Sequence, residues 1–176
     1  MRRGRLVKTI QGAVVILGGL VCLFSAFGLA GLRINTSPSL PVGIYIVSSE
    51  EAALVEFCPL EPWAHLAATR GYRSAGTCWD GAAPLLKPIV ARPSDTVVYS
   101  SNGIRINGKL LGNTAPRRED SHGRILSPWP FGTYHVALGT LWVASSYSDR
   151  SFDSRYMGPI PTHTVREHLR PLLTLW

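Results

Sequence analysis

Lys87 stands in "PLLKPIVARPSDTV", with Leu85 and Leu86 before it and Ile89 and Val90 after it. A lysine in such a run can snorkel, laying its methylenes on apolar surface while the ammonium stays in water. If it is buried instead, desolvation disfavours the charged form and lowers its pKa. A neutral amine can take a proton from a serine hydroxyl, whereas an arginine stays charged and cannot. Two segments offer hydroxyls: "INTSPSLPVGIY", with Ser37 and Ser39, and "SDRSFDSRYMGPIP", where Ser151 is followed by Asp153 and Arg155. Brought together, amine and alcohol would form a Ser–Lys nucleophile pair. Residue types alone leave this open, because Ser, Pro and Gly near an apolar stretch also make linkers.

Other chemistries find less support. No Gly-x-Ser-x-Gly elbow, glycine-rich phosphate loop or metal-binding helix is present. The five histidines are scattered, with His163 and His168 expected at the surface. Cys58 and Cys78, with His65 at an unconvincing spacing, make a poor zinc site. Neither a cofactor nor a metal is expected.

The elements that would position these groups begin with an anchor. Four positive charges (Arg2, Arg3, Arg5 and Lys8) fall in the first eight residues and supply over half of the net charge of +7. Charge gathered in one tail points to membrane topology before nucleic acid, so no nucleic-acid partner is expected. Residues Thr9 to Leu32 carry no charge. About 20 helical residues cross a hydrocarbon core of roughly 30 Å. The reading is a cytoplasmic tail over 1–8, a transmembrane helix over 9–32 and an external domain over 33–176. The rival is a cleaved signal peptide ending near "GLA" (Gly28–Ala30), although such apolar regions typically span only about 7–15 residues. Cys22 reads as an apolar filler of the span. Cys58 and Cys78 fall outside it, where disulfides persist, and are expected to pair.

The external part reads as mainly β. "VGIYIV" (Val42–Val47) alternates and is rich in branched and aromatic residues, which predicts a strand. "TVVYS" and "IRINGKLLG" follow the same logic, with "SNG" and "NG" as tight-turn signals. "TYHVAL" and "LWVAS" predict a late hairpin about Gly139. One helical turn is expected around Ala64–Arg70, a charged surface loop at Arg117–Arg124, and a C-terminal "REHLRPLLTLW" packed as a tail on the sheet.

Together the three segments resemble the serine–lysine type I signal peptidases, and among them the conjugative-transfer (TraF-type) processing peptidases. "TSPSLPVGIY" is similar to the family's nucleophile box, including the Pro-x-Gly-x-Tyr of the transfer branch. "LLKPIVARPSDTV" is similar to the general-base box, and "SFDSRYMGPIP" to the Ser-x-Asp-Ser-Arg-Tyr box; "IRINGKLL" resembles the strand and turn between them. Order, spacing and a preceding span match over essentially the whole chain. The resemblance implies a signal-peptidase-type β fold behind one N-terminal transmembrane helix. It makes Ser39 the nucleophile, Lys87 its general base, Ser37 an oxyanion donor and Ser151 the hydroxyl that orients the lysine. Asp153 and Arg155 become a supporting pair. It also implies a bacterial inner-membrane protein with its domain in the periplasm. The expected partners are the bilayer and a membrane-inserted protein substrate, either a propilin or a precursor bearing a signal peptide. Product cyclisation is one expected outcome. A general signal peptidase and a non-catalytic bitopic component of a mating apparatus are the alternatives. Several positions depart from the pattern: Leu40 for Met, Pro88 for Arg after the lysine, Ser94 for a turn glycine, Met157 for an aromatic, and "SSY" (Ser145–Tyr147) for Gly-Asp-Asn.

Overall fold

The computed structural model describes residues 11, 14–19, 31–48 and 52–175. Among the described residues no helix is long and apolar enough to cross a membrane. Residues 14–19 are helical, and most of the span expected over 9–32, with the basic tail, lies outside the described residues.

The fold from Gly31 onward is built on two antiparallel sheets, as the mainly β reading expects. Its larger sheet has seven strands: β1 (Leu32–Asn35), β2 (Val42–Ser48), β3 (Leu54–Phe57), β4 (Leu85–Ala91), β9 (Thr140–Val143), β10 (Ile160–Pro161) and β11 (Val165–Leu175). They lie in the spatial order β1-β2-β11-β3-β4-β9-β10. The smaller sheet, ordered β7-β6-β5-β8, comprises β5 (Thr96–Ser100), β6 (Gly103–Ile106), β7 (Lys109–Leu110) and β8 (Gly132–His135). Two short helices, α1 (Trp63–Thr69) and α2 (Ser154–Met157), complete it. The strands expected at Val42–Val47, Thr96–Ser100 and around Ile104–Leu110 form, as does the helical turn, now α1.

Two expectations are corrected. "TYHVAL" and "LWVAS" do not form a hairpin. The chain turns at Gly139 (φ +76°), but β8 pairs with β5 in the small sheet and β9 with β4 and β10 in the large one. Burial separates them: Leu141, Trp142 and Val143 are all buried, while β8 is largely exposed. A turn signal cannot show which sheet each flanking segment joins. The C-terminus is likewise no tail. β11 runs inside the large sheet, hydrogen-bonded to β2 on one edge and β3 on the other. Pro171, which argues against an interior strand because it donates no hydrogen bond, is accommodated by a register shift between Pro171 and Leu173.

That close pairing explains the glycine of "PVGIY". A Cβ on Gly43 would lie 2.2 Å from the Leu173 carbonyl oxygen of β11, so no other residue fits without moving the strand. Apolar side chains sort into three clusters. The largest, with Val55, Phe57, Val143 and Tyr156, lies beneath the large sheet. The second gathers Val97, Tyr99, Ile104 and Trp142. Leu40, Tyr45 and Leu169 form the third, under the β1–β2 turn.

Candidate active site

Lys87 is on β4, directly opposite Val55 of β3, while Leu85 faces Phe57. Strand side chains alternate between faces, so Lys87 shares its face with residues that are fully buried. It is buried, with only 4 % of it exposed, at the wall of a cavity. The snorkelling alternative therefore fails. Burial pushes its pKa down to about 8, opposed by the Asp153 carboxylate and assisted by the Arg155 guanidinium.

Ser39 is buried too, in the turn between β1 and β2, and its Oγ lies 2.7 Å from Lys87 Nζ. The "INTSPSLPVGIY" segment is thus no linker. Its shape is held by Asn35, whose Nδ2 donates to the carbonyls of Ser37, Leu40 and Pro41, and whose Oδ1 accepts from the Ser37 N–H. Tyr45 adds a 2.7 Å bond from its hydroxyl to the Pro41 carbonyl, and Leu40 plugs the apolar cluster below. These contacts give "N-x-S-x-S-L-P-x-G-x-Y" a physical reading: Asn and Tyr clamp the turn, Leu anchors it and Gly admits β11. Ser37 Oγ sits 2.8 Å from Ser39 Oγ, on the exposed side of the turn.

Asp153 and Arg155 form a fully buried ion pair. Asp153 caps α2 by accepting from the Arg155 N–H and also accepts from Arg155 Nε (2.9 Å) and Nη2 (2.8 Å). The guanidinium then donates to the carbonyls of Asn113, Ser145, Ser148 and Asp149. A buried guanidinium must satisfy all its donors, and here it does so by tying the 145–149 segment that precedes α2 to the loop at Asn113.

Ser151 differs from its expected part. It lines the same cavity as Ser39 and Lys87, yet its buried Oγ makes no hydrogen bond among the described residues, to the lysine or to any other group. The cavity, of about 590 Å³, also borders Ser37, Tyr72, Leu86 and Phe152. Cys58 and Cys78 are joined by a disulfide. That bond closes the segment carrying α1 and Arg73, which pairs with Asp80 just beyond it; the stretch from Gly71 to Ser74 borders the cavity. Among the described residues no cluster of His, Cys, Asp or Glu could hold a metal ion.

Two positions that reasoning from residue types passed over belong to this site. Asn35 clamps the β1–β2 turn around Ser39. Ser145 stands where the resembling family has glycine, and it donates a short hydrogen bond to the Ser39 carbonyl.

A family model described as signal peptidase, peptidase S26, matches residues 3–171. The chain belongs to that family. It is 38% identical over 175 residues to a plasmid transfer protein TraF of Escherichia coli, covering 97% of this chain and 98% of the relative. A conjugal transfer protein TraF of Agrobacterium tumefaciens (strain 15955) is 31% identical over 180 residues, covering 99% and 98%. Among solved structures, a signal peptidase I from Enterococcus faecalis V583 superposes with a TM-score of 0.38 at 18% identity, over 70% of this chain and 99% of that one. Membership of the peptidase S26 family makes the chain a peptidase with the mainly β fold expected of it, and implies a precursor protein as substrate.

Proposed function

We propose that this signal peptidase relative is a membrane-anchored serine endopeptidase of conjugative transfer, with Ser39 as nucleophile and Lys87 as general base. The observation that carries the reading is the 2.7 Å contact between a buried amine, pushed down to about 8, and the Ser39 hydroxyl. Relatives named for plasmid and conjugal transfer support a role in conjugation, and the substrate proposed is an exported precursor of the pilin type.

The chemistry proceeds in two halves. An extended precursor segment lies along an exposed strand edge beside the cavity. Neutral Lys87 removes the Ser39 proton as Oγ attacks the scissile carbonyl. The Ser37 hydroxyl and the Ser39 backbone N–H hold the developing oxyanion. Protonated Lys87 returns its proton to the leaving amine, and the acyl-enzyme remains. Water, deprotonated by Lys87, then releases the product as an acid. If the precursor's own N-terminal amine attacks instead, the product is a ring.

Anchoring by residues 9–32 in the inner membrane, with the domain in the periplasm, supports this chemistry. Ser39 follows the span by only seven residues, and substrates held in the same bilayer arrive concentrated and oriented. Exposed Ile34, Leu173 and Leu175 at this end of the sheet suit a membrane-proximal position. The test is co-expression with a pilin precursor from the same transfer system, followed by intact mass. Cleavage should occur with the natural chain and be lost with Ser39→Ala and with Lys87→Ala. Normal processing by both variants would overturn the reading.

A further inference from the structure

We propose that Ser145 is a positioning residue that sets the orientation of Ser39 through its main chain. The inference rests on the reading of Ser39 as nucleophile. Three carbonyls of the β1–β2 turn, those of Ser37, Leu40 and Pro41, are held from within the turn by Asn35 and Tyr45. The carbonyl of Ser39 is held from the other side of the site, by the Ser145 hydroxyl 106 residues away. Fixing that carbonyl fixes the peptide plane after Ser39, and hence the direction in which its side chain leaves the turn.

Ser145 is itself immobilised. It is completely buried. Its N–H donates to Asp153 Oδ2 at 3.0 Å, and its carbonyl accepts from Arg155 Nη2 at 3.4 Å. Its Oγ accepts from the Tyr147 N–H at 3.1 Å, which leaves the hydroxyl proton for Ser39. Neither Asp153 nor Arg155 hydrogen-bonds to Ser39 or Lys87 among the described residues. Ser145 is the link through which that buried pair reaches the nucleophile. A glycine at this position, as in the resembling pattern, has no hydroxyl to make the link, so the device belongs to this chain's version of the site.

Ser145→Ala removes the hydroxyl and leaves the backbone contacts to Asp153 and Arg155 intact. Displacement of a reacting group by about 1 Å can cost 10²-fold in rate. Steady-state turnover of p-nitrophenyl acetate by the full chain in detergent micelles reads the effect without a peptide substrate. Ser145→Ala should lower kcat by about 10- to 100-fold, with KM within about twofold and the same pH midpoint, because Lys87 is untouched; its melting temperature should fall by a few degrees, since the Ser39 carbonyl and the Tyr147 N–H lose their partner. Ser145→Thr, which keeps a hydroxyl, should restore most of the rate. Should the alanine variant fail to fold, Ser145→Cys preserves size with a feeble donor and should still lose about tenfold in kcat. Full kcat in whichever of the Ala and Cys variants folds would overturn the inference, as would a shifted pH midpoint. Turnover by Ser39→Ala equal to that of the natural chain would instead overturn the underlying reading. A dead Ser39→Ala beside a fully active Ser145→Ala would sink the Ser145 role alone.

Discussion

Lys87 and Ser39, 48 residues apart in sequence, meet at 2.7 Å, both buried at the wall of one cavity. Each is held by a different kind of constraint. β4 presents the lysine through strand alternation, locked opposite Val55. The serine is presented by a turn clamped at Asn35, Tyr45 and Ser145. Neither arrangement is chosen for stability: a buried lysine is costly, and the fold tolerates it where the proposed chemistry uses it.

That cost can be measured. Lys87→Met should raise stability while abolishing cleavage. A depression from 10.5 to about 8 corresponds to on the order of 3 kcal/mol of destabilisation below pH 8. Between about pH 8 and 10.5 the unfolded chain binds more protons at this site than the folded one. Native stability therefore rises with pH across that window, and the advantage of Met should shrink there. Urea unfolding of both proteins at pH 6.5 and pH 10 checks the sign.

Ser37 lies on the exposed side of its turn, so its removal should leave stability nearly unchanged. Its hydroxyl, 2.8 Å from Ser39 Oγ, is placed to hold charge in the transition state. Ser37→Ala should lower kcat by about 10²–10³-fold, with little effect on melting. Steady-state kinetics on a precursor-derived peptide would show this.

The disulfide should contribute about 3 kcal/mol, given the 20-residue separation of Cys58 and Cys78. Unfolding with a reductant should shift the urea midpoint down accordingly. Thiol labelling of the folded protein prepared without reductant should find neither cysteine reactive.

Much of this site could be read before any coordinates. Ser39, Lys87 and the Asp153–Arg155 pair were marked by residue type together with family resemblance, and the strand at Val42–Val47 by alternation alone. What escaped did so for physical reasons. The partner of a strand is set by burial on both faces, which a turn at Gly139 does not encode, so β8 and β9 looked like a hairpin. The C-terminal segment reads as a tail because its apolar part is short, while its partners β2 and β3 lie over 100 residues away in sequence. Ser94, noted as a departure from glycine, adopts φ +79°; the turn keeps the glycine-like conformation without the glycine. Ser145 was invisible because its partner, the Ser39 carbonyl, is a backbone group with no signature in residue type. Ser151, which the resemblance places against Lys87, borders the cavity without making that bond.

The pH dependence of kcat/KM addresses the central claim most directly, since it reports the ionisation of the free enzyme's base. Burial of Lys87 predicts a rate that climbs about tenfold per pH unit below its midpoint, bends near pH 8 and is level above it. A profile flat from pH 6 to about 9 would contradict a lysine base and, with it, the account of how Ser39 is activated.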